Sequence, residues 1–160
     1  MTDVSTAPVA APPAGRFVYD VALRWSDMDA YGHVNNARFL TLYEEARVAM
    51  FFVAARATGV WSFEEGIVIA RHEVDYLRPV DYGTDAAGSA EPPRVRIEMW
   101  VSALKAASFT VAYEMFDGAA LASRAKSVCV PFNLAAQHPR RLSEAERAFL
   151  RPYVAPAGKA

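Results

Sequence analysis

From Phe17 to Trp25 the apolar residues Phe17, Tyr19, Val21, Leu23 and Trp25 alternate with Val18, Asp20, Ala22 and Arg24. That period of two predicts a strand with one buried face. A polar segment follows, Ser26 to Asn36, holding Gly32 and two adjacent asparagines. The period then changes. Phe39, Leu42, Tyr43, Ala46, Met50 and Val53 recur at spacings of three and four, which predicts a helix over Ala37 to Thr58. Asn35 or Asn36 can cap its start, and Gly59 can supply the left-handed residue that ends it. Leu40, Val48, Ala49, Phe51 and Phe52 widen the apolar stripe. Such a helix needs apolar cover around much of its circumference, which a curved sheet wrapped over it would provide.

The second half supplies that sheet. Ile67 to Leu77 is strand-like until Pro79 breaks the pattern, and a Gly-rich stretch follows. Val95, Ile97, Met99 and Val101 form one face of a strand over Arg94 to Ser102. Phe109, Val111, Tyr113 and Met115 do the same over Ser108 to Phe116. Asp117-Gly118 signals a hairpin into a strand over Ala119 to Phe132. No helix fits between these strands, so an antiparallel meander is expected. Ser143-Glu144-Ala145-Glu146 is a capping-box pattern that starts a short helix through about Arg151. One long helix against one sheet is an α+β arrangement.

The 160 residues suffice for one domain. The expected limits are a disordered tail over 1–15, a domain over 16–153 and a C-terminal tail over 154–160. With 17 basic and 18 acidic residues there is no basic excess to favour a nucleic acid. Cys129 is the single cysteine, which excludes a disulfide framework and suits a buried small hydrophobe. The N-terminus lacks the basic and apolar regions of a signal peptide, and no apolar run is long enough to span a membrane. A cytoplasmic protein is expected.

Chemistry concentrates between Asp27 and Asn36. This segment joins a strand to a long helix and holds two carboxylates, Asp27 and Asp29. It ends at backbone amides that lack partners inside the helix and carry the positive end of its dipole. A carboxylate can act as general base or nucleophile, and such amides can stabilise an oxyanion, so acyl transfer fits. The same residues also suit turns and caps, because Asp and Asn side chains mimic backbone hydrogen bonding. Spacing alone leaves both readings open. His33, His72 and His138 are widely separated, and His-Glu-x-x-His, Cys-x-x-Cys, dinucleotide-glycine and Gly-x-Ser-x-Gly patterns are absent. No metal and no cofactor is expected, beyond what a substrate itself carries.

The stretch Arg24-Trp-Ser-Asp-Met-Asp-Ala-Tyr-Gly-His-Val-Asn-Asn-Ala-Arg-Phe-Leu-Thr-Leu-Tyr-Glu-Glu-Ala-Arg47 resembles the signature of hotdog-fold acyl-CoA thioesterases of the 4-hydroxybenzoyl-CoA thioesterase type. The weaker stretch Arg71-His-Glu-Val-Asp-Tyr-Leu-Arg-Pro-Val-Asp-Tyr-Gly83 is similar to the family's second strand and following turn. The resemblance covers roughly Val18 to Phe132 and implies an antiparallel sheet wrapped around one long helix. It places the catalytic carboxylate on Asp29 and the thioester-polarising amide on the backbone of Asn36. It sets His33 beside the acyl–sulfur junction, for positioning or hydrogen bonding, with backbone bonding at the start of the helix as the alternative. Asp27 then becomes a turn or supporting residue, and Glu44 and Glu45 are expected to be solvated or paired with Arg47. One branch of the family has a histidine where this chain has Asn36, which weakens transfer of that branch's short-acyl or aryl preference.

The implied substrate is an acyl-CoA, hydrolysed to free acid and coenzyme A. Arg71, Arg78 and Arg94 are the candidates for its phosphates. The apolar segment Phe51 to Phe63 leans toward medium or long acyl chains. Family members pair into dimers and often tetramers, so a homodimer or homotetramer is implied. Two other functions fit the same fold. Enoyl-CoA hydration would need an Asp and a His five residues apart, but His33 follows Asp29 by four and Asp27 by six. A non-catalytic acyl-CoA or acyl-carrier binding module would have the same composition.

Overall fold

The computed structural model of the chain describes residues 13–83 and 90–156. The expected N-terminal tail lies outside them except for 13–15, as do part of the Gly-rich stretch (84–89) and residues 157–160 of the C-terminal tail. Strand β1 (Phe17–Ala22) leads into a 3-10 turn, Trp25–Asp27. Helix α1 (Asn36–Val48) is continued by a π-helical stretch, Ala49–Ala54, and a last α-helical turn, α2 (Ala55–Ala57). Then come β2 (Ile67–Tyr76), β3 (Arg94–Leu104), β4 (Phe109–Asp117), β5 (Ala120–Asn133) and the short β6 (His138–Pro139). Helix α3 (Glu144–Leu150) follows.

The sheet runs in the order β1-β3-β4-β5-β2, all antiparallel, with β6 beside β5. The meander holds for β3, β4 and β5 only. β2 crosses to the far edge and pairs with β5 from Ile67↔Pro131 to Tyr76↔Ser123. Val95, Ile97, Met99, Val101, Phe109, Val111, Tyr113 and Met115 are all buried, as their alternation requires. They meet Phe39, Leu42, Tyr43, Ala46, Met50 and Phe51 of the helix in one continuous core. Each such side chain contributes about 1.5–3 kcal/mol by leaving water. This is the hotdog arrangement, a curved sheet around one long helix.

Three expected core positions are exposed, among them Tyr19 on the edge strand β1. Val53 is exposed, because the wider π-helical turn delays the inward face so that Phe51 and Ala55 are buried instead. Trp25 leaves the β1 face because the strand ends at Ala22 and the 3-10 turn begins at Trp25. Its ring instead meets Tyr82 edge-on at 5.8 Å. At the other terminus, Val154 bridges Val101 and the Ala155 N–H donates to the Val101 carbonyl at 2.9 Å, so order continues past residue 153.

Candidate active site

The loop from Asp27 to Asn35 is a small folded-back ribbon. Met28 and Val34 form an antiparallel bridge, the Asp29 N–H donates to the His33 carbonyl at 2.7 Å, and the Asn35 N–H donates to the Asp27 carbonyl at 2.8 Å. Gly32, at φ +78°, supplies the left-handed turn. The Val34 N–H donates to the Val80 carbonyl at 2.7 Å, which seats the ribbon against the segment after β2.

The two carboxylates have different tasks. Asp27 is buried, and its Oδ2 accepts from the Arg24 N–H at 2.8 Å, closing the 3-10 turn. This is the supporting place expected for it. Asp29 is half-buried, and its Oδ1 accepts from the N–H groups of Tyr31 at 2.8 Å and His33 at 3.3 Å. Among the described residues its Oδ2 carries no hydrogen bond. One oxygen therefore holds the turn, and the other is open for chemistry. His33 is exposed and enters this network through its backbone alone, with a bridge to Asp81 besides.

Asn35 caps α1. Its side-chain oxygen accepts from the Ala37 N–H at 2.9 Å, and its carbonyl accepts from the Arg38 N–H at 2.8 Å. Asn36, the first helical residue, is exposed, and its N–H meets no acceptor among the described residues. A helix start thus presents one open donor at the positive end of the helix dipole. The Tyr76 hydroxyl donates to the Asn36 carbonyl at 2.9 Å, and its ring meets Phe39 edge-on at 5.1 Å, which ties β2 to this helix start. Sequence reading missed Tyr76, since one tyrosine in a strand carries no signal of its cross-chain partner.

The three candidate arginines do not converge. The ends of β1, β2 and β4 and the starts of β3 and β5 share one edge of the sheet, and the ribbon lies there. Arg78 and Arg94 belong to that edge. The Arg78 N–H donates to the Ala122 carbonyl, and Arg94 reaches the Asp20 carbonyl at 3.4 Å. Arg71 sits midway along β2, opposite Val128 and paired with Glu73. Glu45 pairs with Arg24 rather than with Arg47, while Glu44 is exposed.

Deeper along the helix, Arg47 is buried at 7% exposure and donates to the Tyr113 hydroxyl at 3.2 Å. His72 Nδ1 lies 2.8 Å from the Ser127 hydroxyl. Burial and the Arg47 charge pull the His72 imidazole below its ordinary value against the opposing pull of Glu44, so it is neutral at pH 7. Burial pushes the Tyr113 phenol up to about 12, and Arg47 offsets part of that rise. Burial likewise pushes the Cys129 thiol up to about 12, which fits a small apolar residue and not a nucleophile. Phe51 and Phe63 lie 5.2 Å apart in the closed core, against Phe109, so they do not form an open acyl wall. Among the described residues no group of three or more His, Cys, Asp or Glu is placed to hold a metal ion, and no helix is long and apolar enough to cross a membrane.

The model of the thioesterase-like superfamily matches residues 23–152. A thioesterase from Thermus thermophilus, solved in complex with coenzyme A and Zn, is 30% identical over 86% of this chain and 92% of its own, with a TM-score of 0.69. A predicted thioesterase from Bacillus stearothermophilus is 26% identical over 89% and 99% of the two chains, with a TM-score of 0.71. The 1,4-dihydroxy-2-naphthoyl-CoA thioesterase of Synechocystis, at 17% identity over 85% and 96% of the chains and a TM-score of 0.68, shares the fold. No curated protein matches the chain. The matched span runs from the end of β1 through α3, taking in the ribbon, the capped helix start and the whole of β2 to β5; the chain belongs to the thioesterase-like superfamily.

Proposed function

We propose that the protein hydrolyses an acyl-CoA thioester, with the Asp29 carboxylate as base and the Asn36 N–H as oxyanion donor. The observation that carries this is the open N–H of Asn36 beside a cap that satisfies its neighbours. Asp29 Oδ2 takes a proton from water as the water oxygen bonds to the carbonyl carbon. Negative charge then gathers on the former carbonyl oxygen, where a donor such as the Asn36 N–H contributes about 3 kcal/mol. As the intermediate collapses, the carbon–sulfur bond breaks and the thiolate takes the proton from Asp29. Direct attack by Asp29 on the carbonyl is the other route open to the same residue.

His33 would position the acyl–sulfur junction. Arg78 and Arg94, at the sheet edge that carries the ribbon, are suited to the phosphates of coenzyme A; Arg71 is not. The outer edge of β2 has no strand beside it among the described residues, and pairing with a second copy would cover it. A homo-oligomer is therefore part of this reading, and sedimentation velocity tests it. Release of free thiol from acyl-CoA thioesters across chain lengths tests the reaction. Hydrolysis at rates well above background is expected; tight binding without thiol release would make the protein a binding module instead.

A further inference from the structure

Three half-buried arginines face carboxylates, while a fourth, Arg147, donates to the Lys105 carbonyl at 2.9 Å. Arg16 pairs with Glu98 and Glu114, Arg96 with Glu98, and Arg140 with Glu65 and Glu146. Arg47 is more deeply buried than any of them, yet no carboxylate lies within ion-pair distance of it among the described residues. Glu44, one turn earlier, stays exposed, and Glu45 turns to Arg24. A guanidinium has five donors in a planar fork, and the Tyr113 hydroxyl meets one arm of it. A covered cation without an anion is held at a cost that an incoming carboxylate would offset.

Position along the helix says where that carboxylate would come from. Arg47 follows Asn36 by eleven residues, so it stands three turns further on, about 16 Å away and about 20° off the same line. The strand beside the helix marks both ends of this line. Tyr76 of β2 bonds the Asn36 carbonyl, and His72 of β2 lies within the field of Arg47. Between them the half-buried Leu40 and Val74 and the exposed Tyr76 ring present apolar surface over the buried Phe39 and Tyr43. The seam thus has an open N–H donor at one end, an apolar middle and, at the other end, a cation held by the Tyr113 hydroxyl and ring without a carboxylate.

We infer that the seam between α1 and β2 is the acyl subsite, and that Arg47 closes its far end to select acyl groups bearing a carboxylate remote from the thioester. This rests on the thioesterase reading and goes beyond it, because it names the substrate class. Tyr113 orients the guanidinium from beneath, and a bidentate carboxylate occupies the donors that remain.

The test measures thiol release by the full chain from octanoyl-, dodecanoyl- and hexadecanoyl-CoA and from the ω-carboxyl thioester of each length. At the best length kcat/KM for the ω-carboxyl thioester should exceed that of its alkyl counterpart by about tenfold or more. Arg47→Met should remove the preference mainly through a raised KM for the ω-carboxyl thioesters, and Arg47→Lys should restore part of it. Should Arg47→Met not fold, the wild type decides: dodecanedioate must raise its melting temperature more than dodecanoate does. Equal shifts, equal or better hydrolysis of the alkyl series, or an Arg47→Met that weakens self-association with unchanged selectivity overturns the inference. The last result would mean that a second copy supplies the carboxylate. No thiol release from any thioester overturns the thioesterase reading instead, and the melting shifts then still judge the carboxylate site.

Discussion

Arg140 and Arg47 are two ways in which this fold covers a guanidinium. Arg140 sits where β6 meets α3, with Glu146 at 2.7 Å, Glu65 at 3.2 Å and the Ser62 carbonyl at 2.7 Å around it. Glu146 also closes the capping box of α3 by accepting from the Ser143 N–H at 2.7 Å. Those groups are paired by charge within the chain, although the buried Arg140 Nε makes no hydrogen bond. Around α1 the same chemistry is left incomplete: the Asn36 N–H, Asp29 Oδ2 and most of the Arg47 fork have no protein partner among the described residues. The closed cluster serves stability. The open groups lie on the surfaces that the proposed reaction uses, which suits sites meant to exchange one partner for another.

The contrast breaks most readily at Asp29. Asn in its place keeps an oxygen for the Tyr31 and His33 N–H groups, so the ribbon stays folded while the base is lost. Asp29→Asn should lower kcat by about a hundredfold or more with an unchanged melting curve. Wild-type turnover in this variant would remove Asp29 from the mechanism. The closed region should behave in the opposite way. Glu146→Gln keeps the cap but weakens the charged contact with Arg140, costing about 2–3 kcal/mol in urea unfolding while turnover per folded molecule holds.

The pH dependence of stability follows from the same region. Burial pushes the Glu146 carboxyl up, but the Arg140 and Ser143 hydrogen bonds and the Arg140 charge outweigh it, so its net value is lowered. Glu114 is lowered in the same way by Arg16 and Arg124. A carboxyl that is more acidic in the folded chain adds stability above its unfolded value of about 4.3, and that stability is lost as pH falls through the folded value. Urea midpoints should therefore drop on the acid side of about pH 4, and Glu146→Gln should flatten part of that drop.

Smaller effects sharpen the comparison. Asn35→Ala removes the cap beside the open amide and should cost about 1 kcal/mol of stability, with a fall in kcat as the helix start frays. Tyr76→Phe keeps the ring on Phe39 and deletes the bond to the Asn36 carbonyl. It should lower kcat by up to about tenfold and shift the melting temperature little. A change confined to KM would show that Tyr76 touches substrate rather than holding the helix start.

Much of this could be read from the chain. The strict alternation in β3 and β4, the three-and-four spacing of α1, Gly59 and the capping box of α3 are local signals, and each appears where its residues predicted it. Pairing partners are not local. Nothing in Ile67–Tyr76 says that it lies beside β5 rather than β3, because a strand's neighbours are fixed by the whole sheet. Val53 leaves its expected face because the π-helical stretch changes the period within a continuous helix. In the site, a turn and a helix cap were legible from residue types, the Met28–Val34 bridge that makes the turn a ribbon was not, and the family signature singled out Asp29 and Asn36. Arg47 escaped notice for a physical reason: an arginine beside two glutamates reads as a surface ion pair until the fold shows it covered and those glutamates turned elsewhere.

The crossing of β2 to the far edge of the sheet also has a bearing on biosynthesis. A ribosome delivers β1, α1 and β2 before any of β3, β4 or β5 exists, yet Phe39, Leu42, Met50 and Phe51 find their cover on those later strands. Neither β1 nor β2 has its pairing partner until the C-terminal half arrives. The nascent N-terminal half therefore emerges as an apolar helix between two unpaired strands, a form prone to association with its neighbours on a polysome. The β3-β4-β5 meander closes through short turns and forms quickly, after which the waiting half can wrap onto it. Yield in cells should then depend on how fast translation passes from residue 76 to residue 133, and on chaperones that hold the helix meanwhile.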